Sequence, residues 1–128
     1  MSIITSLTRM WLTRSTKPFI FKNEYDNVLS YQDCDNLGLY VHIPFCRSIC
    51  NFCPYCKVRY SKDLCDRYID ALLREIHAVG GQQSGKKETN SLYFGGGTPS
   101  LLSPAQIAQI LETAADCFTL SPDTEVTM

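Results

Sequence analysis

Four of the seven cysteines fall in the stretch YVHIPFCRSICNFCPYC, Tyr40 to Cys56, at Cys46, Cys50, Cys53 and Cys56. The first three are spaced C-x3-C-x2-C, so three thiolates on one short loop can converge on a single centre. They are too crowded to sit comfortably around a lone tetrahedral zinc, whose structural sites usually draw on two separated pairs. Iron–sulfur clusters are larger and take their cysteines from one run of short spacings. A 4Fe–4S cluster wants one outside ligand per iron. Cys46, Cys50 and Cys53 supply three, which leaves one iron open for a substrate or cofactor. Cys56 is the ambiguous thiol. As a fourth ligand it would close the cluster and make it an electron carrier. A closed cluster and zinc are therefore the alternatives, although the spacing C-x3-C-x2-C-x2-C differs from the bacterial ferredoxin run.

A second constellation is Gly95-Gly96-Gly97-Thr98-Pro99. It is no Walker A loop, since no Gly-Lys-Ser/Thr follows, and it lacks the G-x-G-x-x-G of a dinucleotide fold. A glycine triplet often marks nothing more than a turn. What it offers here is backbone without side chains, an edge suited to an amino-acid-like ligand with an ammonium and a carboxylate.

The elements that must position these residues are legible as periodicities. Residues 37–43, LGLYVHI, alternate and are rich in β-formers, which predicts a buried strand closed by Pro44. Tyr40 and His42 share one face of it, and either is an ordinary barrel-lining residue on this reading. From Ser61 to Val79 a stripe of Leu64, Tyr68, Ile69, Leu72, Leu73 and Ile76 predicts a helix. Ser61 is its N-cap, Asp63 suits its positive end, and Gly80-Gly81 is expected to stop it. Cys65 beside the stripe reads as a packed thiol and His77 as solvent-facing or capping. QQSGKKETN is a polar loop, and SLYF (91–94) a second buried strand running into the glycines. Ser103-Pro104-Ala105-Gln106 opens another helix with a capping box, its apolar face Ile107, Ile110, Leu111, Ala114 and Phe118. Cys117 joins that packing. After SPDT a third strand is expected from Glu125.

Strand, helix, strand, helix, strand implies an α/β fold with a parallel sheet and helices outside. Ligands in such folds gather at the C-terminal ends of the strands. Both unusual motifs fall there.

Composition narrows the remaining classes. The 128 residues are 45% hydrophobic and 20% charged with a formal net charge of −1, which gives no electrostatic reason to expect nucleic acid. No apolar run is long enough for a bilayer, and no secretory signal is evident, so no membrane partner is expected. An odd number of cysteines without an export signal points to metal ligation in the cytoplasm. Residues 1–36 read as an N-terminal extension and 37–128 as the core domain. Leu7, Met10, Trp11 and Leu12 would form the apolar side of a short helix, with a membrane-surface helix as the lesser reading. Residues 19–36 read as an irregular linker in which Cys34 stands alone.

YVHIPFC-x3-C-x-F-C, followed by LYFGGGTPS, resembles the radical S-adenosylmethionine superfamily. More narrowly it resembles the branch containing oxygen-independent coproporphyrinogen III oxidase and the related haem chaperone. The resemblance covers about residues 37–128 and implies the first β-α-β-α-β portion of a partial parallel barrel. It implies that Cys46, Cys50 and Cys53 hold a 4Fe–4S cluster whose open iron chelates S-adenosylmethionine. Reductive cleavage to a 5′-deoxyadenosyl radical would follow, with the cofactor carrying the hard chemistry. Phe52 matches an aromatic whose backbone meets the adenine, Gly96, Gly97 and Thr98 the segment that receives the methionine ammonium, and Tyr40 a tyrosine near the cofactor. A small-molecule substrate and an electron donor such as a flavodoxin or ferredoxin are implied partners. Pro54-Tyr55-Cys56 departs from the porphyrinogen oxidases, which resemble C-x-C after the third ligand, so the substrate is not implied. A chain of this length reads as a truncated barrel, and a non-catalytic iron–sulfur, haem-trafficking or electron-transfer module, or an inactive fragment, is the second function class.

Overall fold

The structure, a computed structural model, describes residues 34–82 and 86–128. The expected N-terminal helix and most of the linker lie outside them, as does the middle of the polar loop.

Three strands form the main sheet: β1 (Asn36–Ile43), β4 (Glu88–Gly96) and β5 (Thr119–Thr127), in the order β1-β4-β5. Both pairings are parallel, with His42 opposite Gly95 and Ile43 opposite Gly96. The crossovers are α1 (Lys62–Gly81) and α2 (Pro104–Cys117). A miniature parallel pair, β2 (Phe45–Cys46) with β3 (Val58–Arg59), lies between β1 and α1. The α/β class with a parallel sheet is as the sequence implies, and β2–β3 is an addition that its two-residue strands kept out of the pattern.

Alternation along the strands sorts the two faces of the sheet. Val41, Ile43, Leu92 and Phe94 are buried and meet Ile69, Leu72, Ile110 and Ala114 of the helices in one core, with Phe45, Cys65 and Leu102. Tyr40 and Tyr93 point the other way and are about half exposed. Both helices thus cover one face of the sheet, and the opposite face carries Tyr40, His42 and Tyr93.

The helices begin where their caps say. Ser61 Oγ accepts from the Leu64 N–H. Ser103 and Gln106 form the full capping box, with Pro104 in the first turn. Gly80-Gly81 does not stop α1, which runs through both and is capped at Gln82. The glycine serves packing instead. A Cβ on Gly80 would stand 2.5 Å from Cys117 Cβ, so α1 and α2 approach there only because a hydrogen takes its place. The strands also reach further than expected. β4 starts at Glu88, and β5 starts at Thr119, with SPDT inside it as an irregularity between the Thr89 and Ser91 pairings. Thr124 Oγ1 stitches that bulge, accepting from the Ser121 N–H and donating to the Thr89 carbonyl at 2.6 Å. No helix among the described residues is long and apolar enough to cross a membrane.

Candidate functional site

The cysteine loop leaves β1 at Pro44, which has no N–H to extend the ladder. Its carbonyl still accepts, from the Val58 N–H at 2.9 Å, and the Cys46 carbonyl accepts from the Tyr60 N–H at 2.9 Å. The two ends of the loop are therefore tied side by side, and the thiols of Cys50, Cys53 and Cys56 hang from a closed excursion rather than a free one. All four thiols are unlinked; Cys46 and Cys53 are half-buried, Cys50 and Cys56 exposed. Within the loop the Cys53 N–H donates to the Cys50 carbonyl at 3.3 Å. The Lys57 ammonium donates to the carbonyls of both Cys50, at 2.9 Å, and Cys53.

The glycine segment crosses directly over the start of this loop. The Gly97 N–H donates to the Ile43 carbonyl and the Thr98 N–H to the Phe45 carbonyl, each at 2.7 Å. Thr98 Oγ1 lies 3.7 Å from Cys46 Sγ and donates to it. Gly96 has φ of +107°, outside the range that side chains favour. A Cβ on Gly97 would lie 2.6 Å from the Phe45 carbonyl oxygen and 2.9 Å from Cys46 Sγ. The sequence offers these glycines as bare backbone for a ligand, but their first use is contact of the chain with itself. Without side chains the segment closes onto β1 and meets the first cysteine.

On the open face His42 ties the far end of the cysteine loop back to β1. Its Nε2 is 3.3 Å from the Cys56 carbonyl, which can only accept, so the proton sits on Nε2. Nδ1 is then an acceptor for the Tyr40 hydroxyl at 3.1 Å. The Tyr40 and Tyr93 rings lie beside each other with centroids 5.8 Å apart. On the helix side the Tyr68 hydroxyl donates to the His42 carbonyl at 2.6 Å, and burial, followed by the charge of Glu75, pushes that phenol up. Phe52 lies at the far part of the loop, 89% exposed.

Of the residues singled out from sequence, the fold brings together Tyr40, Cys46, Gly96, Gly97 and Thr98. Cys50 and Cys53 are joined to each other through Lys57. Among the described residues no hydrogen bond or ring contact draws Phe52 to the rest. Sequence reading treated His42 as a lining residue and passed over Lys57; nothing local marks either, because each acts on a backbone carbonyl. A cavity of about 210 Å³ opens between β1 and the helices, lined by Leu39, His42, Tyr68, Leu72, Ile76 and Phe118 among others, and no cysteine lines it.

Among the described residues no group of three or more His, Cys, Asp or Glu side chains lies close enough to hold a single metal ion. A cluster asks for something different, one soft thiolate at each of several separate corners. The donor set fits that request: unlinked thiols on a loop tied at its base, a hydroxyl already donating to one sulfur, and backbone cleared of side chains beside it.

No protein-family model matches the chain. The chain is similar to anaerobilin synthase of Escherichia coli O157:H7, 41% identical over 91 residues, and to oxygen-independent coproporphyrinogen III oxidase of Escherichia coli K12, 38% identical over 93 residues. It is also similar to the mitochondrial radical S-adenosyl methionine domain-containing protein 1 of Bos taurus, 37% identical over 95 residues. These matches cover 70–72% of this chain and 20% of each relative, so the chain spans about a fifth of their length. Among solved structures, the coproporphyrinogen III oxidase of Escherichia coli, described as a radical SAM enzyme, superposes with a TM-score of 0.66 at 36% identity. That superposition covers 72% of this chain and 21% of the other.

Proposed function

We propose that this chain, which resembles the N-terminal part of radical S-adenosylmethionine proteins of the coproporphyrinogen III oxidase type, binds a 4Fe–4S cluster and S-adenosylmethionine at the C-terminal ends of β1 and β4. Residues 37–128 would be the core domain and residues 1–36 an extension before it. Cys46, Cys50 and Cys53 would hold three irons, with Cys56 outside the ligand set. When bound, the cluster supplies one-electron reduction of the sulfonium, the step that starts radical chemistry on a small-molecule substrate.

The chain's own residues supply the setting. The paired β2–β3 base holds the loop ends in register, and Thr98 keeps a hydroxyl against Cys46 Sγ, a contact of the kind that tunes cluster potentials. Gly96, Gly97 and Thr98 would offer backbone and hydroxyl to the methionine ammonium, and the backbone of Phe52 would meet the adenine. Tyr40, held through His42 to the cysteine loop, would line the cofactor's side of the sheet. An electron donor such as a flavodoxin or ferredoxin would be required.

One observation carries this reading. The cysteine loop and the glycine segment, separate in sequence, are a single hydrogen-bonded unit, joined by the Gly97 and Thr98 N–H groups to the Ile43 and Phe45 carbonyls and by Thr98 Oγ1 to Cys46 Sγ. The test is anaerobic reconstitution with iron and sulfide, followed by dithionite and S-adenosylmethionine. A cluster with release of 5′-deoxyadenosine is expected. A cluster without that product would leave an iron–sulfur or haem-trafficking module; zinc, or a cluster that needs Cys56, would overturn the ligand assignment.

A further inference from the structure

Lys57 is the part of the cysteine loop that the proposed function does not use. Its side chain is half-buried and its ammonium donates to two backbone carbonyls, those of Cys50 and Cys53. Among the described residues it makes no ion pair. A surface lysine ordinarily keeps its ammonium in water, where three donors are satisfied at no cost in side-chain freedom. This one instead folds back across the turn that the Cys53 N–H closes onto the Cys50 carbonyl. Hydrogen bonds from a charged donor are about twice as strong as neutral ones, and two of them here converge on one four-residue span.

We infer that Lys57 is a positioning residue: its ammonium straps the carbonyls of Cys50 and Cys53, fixing the backbone from which two thiols project, and sets a positive charge against that turn. The strap is a property of the chain alone. Its use in presenting the thiols to a cluster rests on the function proposed above.

The two parts are separated by measuring them in different states. In the cluster-free chain, NMR relaxation reports the order of residues 50–57 in the wild type, Lys57→Met and Lys57→Arg. The methionine keeps the length of the stem and loses both hydrogen bonds, so order parameters there should drop from near the rigid value of ~0.85 towards ~0.6 or below. Arginine keeps a cation with several donors and should hold them near the wild-type value. The same three proteins, reconstituted with iron and sulfide and passed through a desalting column, report iron retained per chain. Lys57→Met should retain less than half of the wild-type iron (about a twofold or greater loss, the lower end of what removing a supporting contact does to metal affinity), and Lys57→Arg should restore it. Equal melting temperatures establish that all three fold. Unchanged order in Lys57→Met would overturn the strap. Loosened order with undiminished iron would overturn its role in presenting the thiols, as would an arginine variant that fails like methionine. A wild type that takes up no cluster would overturn the proposed function and leave the strap to be decided by the relaxation data.

Discussion

At the scale of single residues, Gly97 and Thr98 are where the glycine segment closes on the cysteine loop. A methyl group on Gly97 meets the Phe45 carbonyl oxygen and Cys46 Sγ, one of them backbone that cannot swing aside. Gly97→Ala should therefore cost about 1–3 kcal/mol by overpacking, read from urea denaturation, and should move the start of the cysteine loop. Thr98→Val keeps the shape and deletes the hydroxyl, so its cost should stay near or below ~1 kcal/mol. The two differ in kind: Gly97→Ala disturbs stability first, whereas Thr98→Val should alter the alkylation rate of Cys46 with little loss of stability. A Thr98→Val protein as damaged as Gly97→Ala would mean that the hydroxyl holds the fold, not the sulfur. The cysteine loop stands out in the sequence because the spacing of thiols within one loop is a local property. The Thr98–Cys46 contact joins residues 52 apart and leaves no trace in either neighbourhood. Lys57 and His42 were illegible for a related reason, since their partners are main-chain carbonyls and every residue has one.

At the scale of elements, caps and periodicity located both helices, and the errors came where tertiary contact overrode local preference. Gly80-Gly81 reads as a stop because glycine costs about 1 kcal/mol in a helix interior. The close approach of Cys117 is what the glycine is for, and the helix continues. Gly80→Ala should accordingly destabilise the protein, despite improving helix propensity, and Cys117→Gly should relieve part of that loss. A double-mutant cycle between them checks the contact, and additive effects would deny it. In α1, Cys65 is fully buried; desolvation, then the charge of Asp66, raises its thiol above the ordinary 9.0. Tyr68 is raised above 10.0 for the same first reason. Both groups are neutral when protonated and hold their protons longer folded than unfolded. Their contribution is thus complete below the unfolded values and is lost as pH rises through the folded ones. Stability should fall from about pH 9 upward, first through Cys65 and then Tyr68, and the fall should be shallower in Tyr68→Phe. A variant whose stability declines in parallel with the wild type would remove Tyr68 from that account.

At the scale of the whole molecule, the sheet has two unlike faces, and the parallel order β1-β4-β5 puts the cysteine loop and the glycine segment at one end of it. That arrangement was legible because crossovers of helical period between short strands leave few alternatives. The pairing of β2 with β3, two residues each, carries too little pattern to read. The unlike faces give a test in two adjacent residues. Leu92 and Tyr93 follow one another on the central strand; Leu92 is fully buried beneath the helices, while Tyr93 is 49% exposed beside Tyr40. Leu92→Ala removes core atoms and should cost about 2–5 kcal/mol. Tyr93→Thr keeps a strand-forming residue, gives up one tilted ring contact, and should cost about 1 kcal/mol or less. It should also reduce binding of a hydrophobic dye, since exposed aromatic surface of this kind is what such dyes report. If the two substitutions destabilise alike in urea, the Tyr40–Tyr93 face is covered in solution and cannot receive a cofactor from solvent. If only Leu92→Ala does so, the aromatic face is surface rather than core, and its residues are free to meet what the cysteine loop and the glycine segment are proposed to hold.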